Sequence, residues 1–340
     1  MRAWAVRRAL LDLPNYRSSH RVAVPRLGGA AFIPVVLIGL LSLHPEGSAS
    51  VVFGAALFGA AALYSVSLWD DLSSLPTGVR FGIQFAVALL VLRVALVPLQ
   101  ALAATPAEGV VGFLNPGVGG YWLLLLWFVG LINVYNFRDG IDGMAGLQAV
   151  VAGVAWAIVG TVLSLSGVQL MGAVISSAAF GFLTLNWPPA KIFMGDAGSM
   201  VLGFLFATLP LLATAESGGR LDLVLSLAIG SILVWPFLAD GIFTFLRRLK
   251  NRENVLQAHR SHLYQRLVIA GHSHPRVTVT YGCLALLGAA LVIPLLKTPA
   301  AGVGGSTVLV VLVVLGGAFL WLWWWTRASE NRAQLTARSD

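Results

Sequence analysis

Apolar residues run along this chain in ten stretches, at about residues 27–43, 50–68, 79–99, 120–136, 143–165, 168–186, 197–214, 221–246, 276–296 and 303–325, with polar residues gathered in the breaks. A helix needs about 20 apolar residues to cross a bilayer core roughly 30 Å thick. The pattern therefore predicts an all-α, polytopic integral membrane protein with about ten transmembrane helices. No internal repeat or low-complexity linker divides it, so residues 1–340 read as a single membrane-embedded domain. Its polar parts are an N-terminal segment at 1–26, a basic loop at 247–275 and a tail at 327–340, all expected on the cytoplasmic face.

Composition agrees with that reading. The 340 residues are 58% hydrophobic and 11% charged, with a mean hydropathy of +0.84. A soluble domain would carry roughly 25% charged residues to keep its surface wet. Ten crossings use about 200 residues, which leaves no room for a separate large soluble domain.

Charge sharpens the topology. The 22 Lys and Arg against 14 Asp and Glu give a formal +8. In a soluble chain that excess would suggest nucleic acid; in a membrane protein it marks cytoplasmic loops. With the N-terminus cytoplasmic, 19 of the 22 cations fall on that face, and only Arg220 and Lys297 fall on the other, with Arg93 inside a helix. The Arg-rich start, MRAWAVRRALLDLPNYRSSH, has no apolar stretch of signal-peptide length and reads as a cytoplasmic segment. Trp321, Trp323, Trp324 and Trp325 beside Arg327 read as an interfacial anchor. The one cysteine, Cys283, permits no intrachain disulfide.

The acids sort to the same face in three motifs. In LWDDLSSLPTGVRFGIQ, Asp70 and Asp71 end the second stretch and Arg80 opens the third. Adjacent helical residues point about 100° apart, so both carboxylates reach one site only where the helix ends. An ordinary solvated helix end would place them there as well. In NVYNFRDGIDGMAG, Asn133, Asn136 and Asp139 share a helical face, Asp142 follows one turn on, and Gly140 and Gly143 allow close approach. Such polarity at a membrane is costly unless it faces a cavity, and capping alone would not use four polar groups. In NWPPAKIFMGDAGSMVLGF, Asp196 stands between glycines at a helix start, as an N-cap or as a carboxylate offered to a divalent cation.

A fourth motif is basic: RRLKNRENVLQAHRSHLYQRLVIAGHSHPR. Its grouping of His259, Arg260, His262, Tyr264 and Arg266 suits a pyrophosphate better than zinc, because guanidinium and imidazolium hydrogen-bond phosphate oxygens. His272 and His274 read as loop residues. Asp240 lies two turns before Arg247 and Arg248, either as a functional intramembrane acid or as the partner of one of those arginines.

These motifs, in this order and spacing, resemble the polyprenyl-phosphate N-acetylhexosamine-1-phosphate transferases over roughly residues 8–270. The match rests on DD before a helix, NxxNFxDGxDGxxG, FMGDAGS and HRxHxY, with DLPNYRSSHRVAVPRLGG similar to the family's first cytoplasmic loop. FMGDAGS and NFxDGxDG are its specific parts. The resemblance implies transfer of a sugar-1-phosphate from a UDP-sugar to undecaprenyl phosphate, with UMP leaving. It implies Mg²⁺, with Mn²⁺ as an alternative, held by Asp196 and Asn136. Asp70 and Asp71 would lie at the reacting phosphates, and Asp139, Asp142 and Gly143 near the nucleotide. Arg260 and His262 would grip pyrophosphate, with Asn133, Arg80 and His259 completing the substrate site.

Three departures are visible. Only MRAWAVRRAL precedes the DLPN segment, where the family usually has a membrane helix; Arg80 stands where many relatives have Lys; and HRSHLYQ replaces the triple-His sequence of the peptidoglycan-precursor translocase. The last points to the branch that starts O-antigen, capsule or other surface glycans, with the MurNAc-pentapeptide translocase as the alternative. The expected setting is the bacterial inner membrane, among membrane lipids, with the site facing the cytoplasm, no nucleic-acid partner, and a homodimer as one assembly open to it. A cation- or proton-coupled transporter is the rival from another class; it would place acids near mid-membrane and show repeat halves, and a non-catalytic scaffold would not need every acidic motif.

Overall fold

The computed structural model describes residues 11–12, 23–42, 45–73, 75–103, 118–218, 220–255, 257, 259–296 and 305–339. Most of the N-terminal segment, including most of DLPNYRSSHR, and the positions of Glu108 and Lys297 lie outside them. Of the described residues, 83% are helical. The helices are α1 Gly28–Leu41, α2 Gly47–Ser73, α3 Thr77–Ala103, α4 Val118–Arg138, α5 Met144–Leu163, α6 Ser166–Asn186, α7 Asp196–Glu216, α8 Leu223–Leu233, α9 Trp235–Lys250, α10 Leu263–Ile269, α11 His274–Leu296 and α12 Gly305–Ser339. A two-stranded antiparallel pair, β1 Leu11–Asp12 with β2 Val24–Pro25, sets Leu11 against Pro25 and Asp12 against Val24.

All ten apolar stretches coincide with helices, but not all are simple crossings. Among the described residues eight helices are long and apolar enough to span a membrane, or nine if one bent pair is a single span. The first stretch forms α1, which has 14 residues and falls short of a bilayer's thickness. The eighth is broken into α8 and α9 by an 85° bend. Pro236 sits in the first turn of α9; its missing N–H ends the α8 ladder, and its fixed φ suits it to start a new helix. Within the basic loop, α9 runs on to Lys250 and α10 forms a further short helix. The tail is no loose extension, since α12 continues helically through it to Ser339.

The helix α7 is apolar on all sides, and its spanning window is fully buried within the protein, packed by α2, α4, α8 and α1. A helix hydrophobic all round belongs in such a core. Around it the pattern is inverted relative to a soluble protein. On α9 the inward residues include Asp240 and Thr244, while Ile242, Phe245, Leu246 and Leu249 face outward. Apolar faces outward and satisfied polar groups inward are the arrangement a bilayer demands, and the protein is a multi-pass membrane protein.

Both ends of α7 are tied to neighbours. Glu216, at its C-terminus, accepts from the Gly167 and Val168 N–H groups at 2.7 and 3.0 Å and so caps α6. Ahead of its N-terminus the 192–195 segment is zipped to the chain around β2. Phe193 N donates to the Pro25 carbonyl at 2.7 Å, and Gly28 N and Gly29 N donate to the Phe193 and Met194 carbonyls at 2.8 and 2.7 Å. This lacing fixes the FMGD sequence before α7 begins.

Candidate active site

Asp70 and Asp71 close α2 side by side, and the rotation between them gives them different tasks. Asp71 is buried, and its two oxygens accept from the backbone N–H groups of Asp196 and Ala197, each at 3.0 Å. The first N–H groups of a helix have no partner within it, so Asp71 caps α7 from a distance of 125 residues along the chain. Gly195 makes room for this: its φ is +73°, and a Cβ there would stand 2.8 Å from Asp71 Oδ2 and 2.5 Å from the Arg26 carbonyl.

Asp70 faces the other way. Its Oδ1 accepts from Leu75 N at 2.5 Å and its Oδ2 from Arg80 Nη1 at 3.0 Å. The same Arg80 nitrogen reaches Asp196 Oδ2 at 3.1 Å. Asn136 completes the group by donating its Nδ2–H to Asp196 Oδ1 and to Ser199 Oγ, both at 2.9 Å. Arg26, Asp70, Asp71, Leu75, Arg80 and Asp196 line a cavity of about 250 Å³. The first and third acidic motifs thus meet, with Asn136 of the second against them.

The rest of the second motif fans out. Asn133 is turned away, donating to Gln84 Oε1 at 2.6 Å and to the Val129 carbonyl at 2.8 Å. Asp139 is half-buried and faces the Gly195 N–H; burial, then the nearby Asp196 and Asp71 charges, hold its carboxyl well above the usual carboxylate range. Asp142 accepts from Ala190 N at 3.0 Å and lies 3.3 Å from His274 Nδ1. His274, read from the sequence as a loop residue, is instead the first residue of α11 and the partner of this acid. Gly143 takes φ +77° with its N–H donated to Asn186 Oδ1 at 2.9 Å.

The basic loop is brought in by a buried network centred on Asp240. That carboxylate accepts from Leu263 N at 2.9 Å, Tyr264 N at 3.4 Å, Thr244 Oγ1 at 3.0 Å and the Tyr281 hydroxyl at 2.8 Å. Its ionic partner is neither Arg247 nor Arg248 but Arg138, at 3.5 Å, with both side chains fully buried. Arg247 instead donates to the Ser261 carbonyl at 2.8 Å, and Arg248 pairs with Glu253 at 3.1 Å. Arg138 also lies over the Tyr264 ring, and the Tyr264 hydroxyl donates to the Phe137 carbonyl at 2.9 Å. So α10 docks on the end of α4, just before Asp139. Arg266 forks onto Glu330 of α12 at 2.6 and 2.5 Å, and His272 meets Ser329 Oγ at 2.8 Å.

The rings of His259 and His262 have their centroids 4.7 Å apart and are tilted by 49°. Burial is the main cause that lowers both to about 4, followed by Arg248 for His259 and Arg138 for His262. Without a bound anion both rings are therefore neutral near pH 7. Arg260 lies between them in sequence and is half-buried.

The donor set near Arg80 suits a hard cation. Among the described residues no group of three or more His, Cys, Asp or Glu converges as a metal cluster. Two carboxylates, Asp70 and Asp196, do share one cationic nitrogen, beside an amide side chain. Mg²⁺ takes one or two carboxylates and fills its remaining positions with water and substrate phosphate oxygens, so these residues fit it. Arg26, Arg138, His274 and Tyr281 are among the members of these networks that the sequence patterns did not single out for such places. Only Arg26 carried a signal, through its position in the PRLGG segment.

Residues 53–214 match the model of glycosyl transferase family 4. The chain is similar to a probable undecaprenyl-phosphate N-acetylglucosaminyl 1-phosphate transferase of Bacillus subtilis, 30% identical over 79% of this chain and 73% of that protein. It is 27% identical to the decaprenyl-phosphate N-acetylglucosaminephosphotransferase of Mycobacterium tuberculosis, over 87% and 85%. A phospho-N-acetylmuramoyl-pentapeptide-transferase of Streptococcus pyogenes is 28% identical over 58% and 61%.

Proposed function

Because the chain belongs to the polyprenyl-phosphate N-acetylhexosamine-1-phosphate transferases of glycosyl transferase family 4, we propose that it moves N-acetylhexosamine-1-phosphate from a UDP-sugar to undecaprenyl phosphate. Mg²⁺ is the cofactor, UMP leaves, and the undecaprenyl-pyrophosphoryl sugar starts an O-antigen, capsule or other surface glycan. The protein is a phosphoglycosyltransferase. The observation that carries the reading is the convergence of Asp70, Arg80 and Asp196 on one cavity, with Asn136 hydrogen-bonded to Asp196.

The reaction joins two anions, so repulsion has to be cancelled before an oxygen of the lipid phosphate attacks the β-phosphorus. Asp196, Asn136 and Asp70 would hold Mg²⁺, which supplies Lewis-acid charge neutralisation at the phosphates. Arg80 brings a guanidinium to the same point, and the loop carrying Arg260 and His262 brings further hydrogen-bond donors. A base is not required. The lipid phosphate, with its second pKa near 6, is already largely dianionic at neutral pH, and the Asp70 oxygens are engaged by Leu75 and Arg80. Asp70 therefore fits a positioning role. Asp139, Asp142 and Gly143 form the nucleotide end. The cation asymmetry of the loops supports a plasma-membrane protein whose site faces the cytoplasm. HRSHLYQ in place of triple His, and broader coverage of the N-acetylglucosamine-type relatives, favour this branch over the pentapeptide translocase.

The test is Asp196→Asn in purified protein, with undecaprenyl phosphate, a panel of UDP-sugars and UMP release as the readout. Mg²⁺-dependent product should vanish while the protein stays folded in the membrane. Full turnover by the variant would remove Asp196 from the metal site, and wild-type inertness towards every UDP-sugar would overturn the reaction.

A further inference from the structure

Arg26 lies just before α1, far in sequence from every acidic motif, yet it lines the cavity with Asp70, Asp71, Arg80 and Asp196. Its Nη2 donates to the main-chain carbonyl of Asp71 at 2.7 Å, a neutral acceptor that fixes the guanidinium, whose charge also acts on the Asp71 carboxylate. Among the described residues its Nε is buried with no hydrogen-bond partner. A buried donor without a partner is costly, and it is the atom a ligand would satisfy.

The placement is not a matter of side-chain freedom. The backbone on both sides of Arg26 is laced to the FMGD segment, through Phe193 N to Pro25 O and through Gly28 N to Phe193 O. Its own carbonyl sits where a Cβ on Gly195 would fall, at 2.5 Å. Any movement of the start of α7, where Asp196 stands, is therefore registered at Arg26. The site then has two guanidinium groups of different kinds. Arg80 is engaged by Asp70 and Asp196, while Arg26 is anchored to a carbonyl. Guanidinium presents several N–H groups in one plane and matches phosphate oxygens in a way an ammonium does not.

We propose that Arg26 is a phosphate-binding residue of this cavity, donating to a substrate's phosphate oxygens; the inference rests on the phosphoglycosyl-transfer reading above. The phosphate belongs either to the lipid acceptor or to the sugar nucleotide, and the test separates the two.

The full chain in detergent is titrated calorimetrically with farnesyl monophosphate alone and, separately, with UDP-GlcNAc and Mg²⁺, for the wild type, Arg26→Gln and Arg26→Lys. Losing a charge-assisted pair should weaken one probe by about tenfold, with Arg26→Lys between. Loss confined to farnesyl monophosphate assigns the lipid phosphate; loss confined to UDP-GlcNAc assigns the pyrophosphate. Both affinities within about twofold of wild type in both variants would overturn the proposal, since a purely structural residue would lower the thermal midpoint and leave the folded fraction's binding intact. If Arg26→Gln does not fold, Arg26→Lys decides, a loss of about threefold supporting the proposal and an unchanged affinity overturning it. Wild type that binds farnesyl monophosphate without catalysis would count against the proposed reaction but not against Arg26, and wild type that binds neither probe would overturn both.

Discussion

Removing the Asp240 carboxylate should disturb the protein more than removing any single exposed charge. Asp240 and Arg138 are both fully buried and 3.5 Å apart, and taking away one partner of such a pair costs roughly 3–5 kcal/mol, because the other charge is left without compensation. The same carboxylate accepts from Leu263 N, Tyr264 N, Thr244 Oγ1 and the Tyr281 hydroxyl at 2.9, 3.4, 3.0 and 2.8 Å, so Asp240→Ala also leaves four donors without this acceptor. These costs overlap and do not add, which puts the whole near 4–5 kcal/mol. In a chain of this size 1 kcal/mol moves a thermal midpoint by about 2 °C, so a drop of roughly 8–10 °C is expected by differential scanning fluorimetry in detergent. Asp240→Asn keeps one acceptor oxygen for the amide of Leu263 but loses the charge and the second oxygen, which serves the Tyr281 hydroxyl, so it should fall about halfway. The paired replacement Arg138→Met with Asp240→Leu removes both charges together and should recover most of the loss. Two results would refute the reasoning: a midpoint for Asp240→Ala within about 1 °C of wild type, or a double variant less stable than the sum of its parts.

Two further outcomes follow from the same structure. Asp71→Ala removes two capping bonds from the start of α7 and should cost about 1–2 kcal/mol. Asp71→Asn, which keeps one acceptor, should retain Mn²⁺ binding by electron paramagnetic resonance while Asp196→Asn loses it; equal loss in both would move Asp71 into the metal shell. For His262, whose folded value lies near 4 against an ordinary 6.5, the unfolded chain takes up the proton first as pH falls. Its contribution is intact above pH 6.5 and lost towards pH 4. Asp139, raised by burial and by Asp196 and Asp71, pulls the other way, so the readout is the difference between wild type and His262→Gln. The variant should lose less stability on acidification, and identical pH slopes would remove His262 as the cause.

How far the fold and the site can be read from the chain depends on the range of the interaction that decides each feature. Apolar stretches are local, and each of the ten coincides with a helix, because a helix satisfies its own backbone wherever it sits. The break at Val234 was also local, announced by Pro236, but a hydropathy window averages over a single proline and sees one long crossing. Asp70 and Asp71 are harder. In sequence they are interchangeable neighbours, and only the direction in which α2 meets α7 makes one a cap and leaves the other facing Arg80. Asp240 carries the lesson further, since its nearest cations in sequence, Arg247 and Arg248, are not its partner. Helical spacing brought those arginines near its face, but α9 points them at the Ser261 carbonyl and at Glu253, and the buried charge is met by Arg138 from another helix. Motifs thus identify which segments must converge on the chemistry. Which atoms do it is decided by packing between helices, and residues such as Tyr281 and His274, whose roles exist only across those contacts, have no spacing by which to be found.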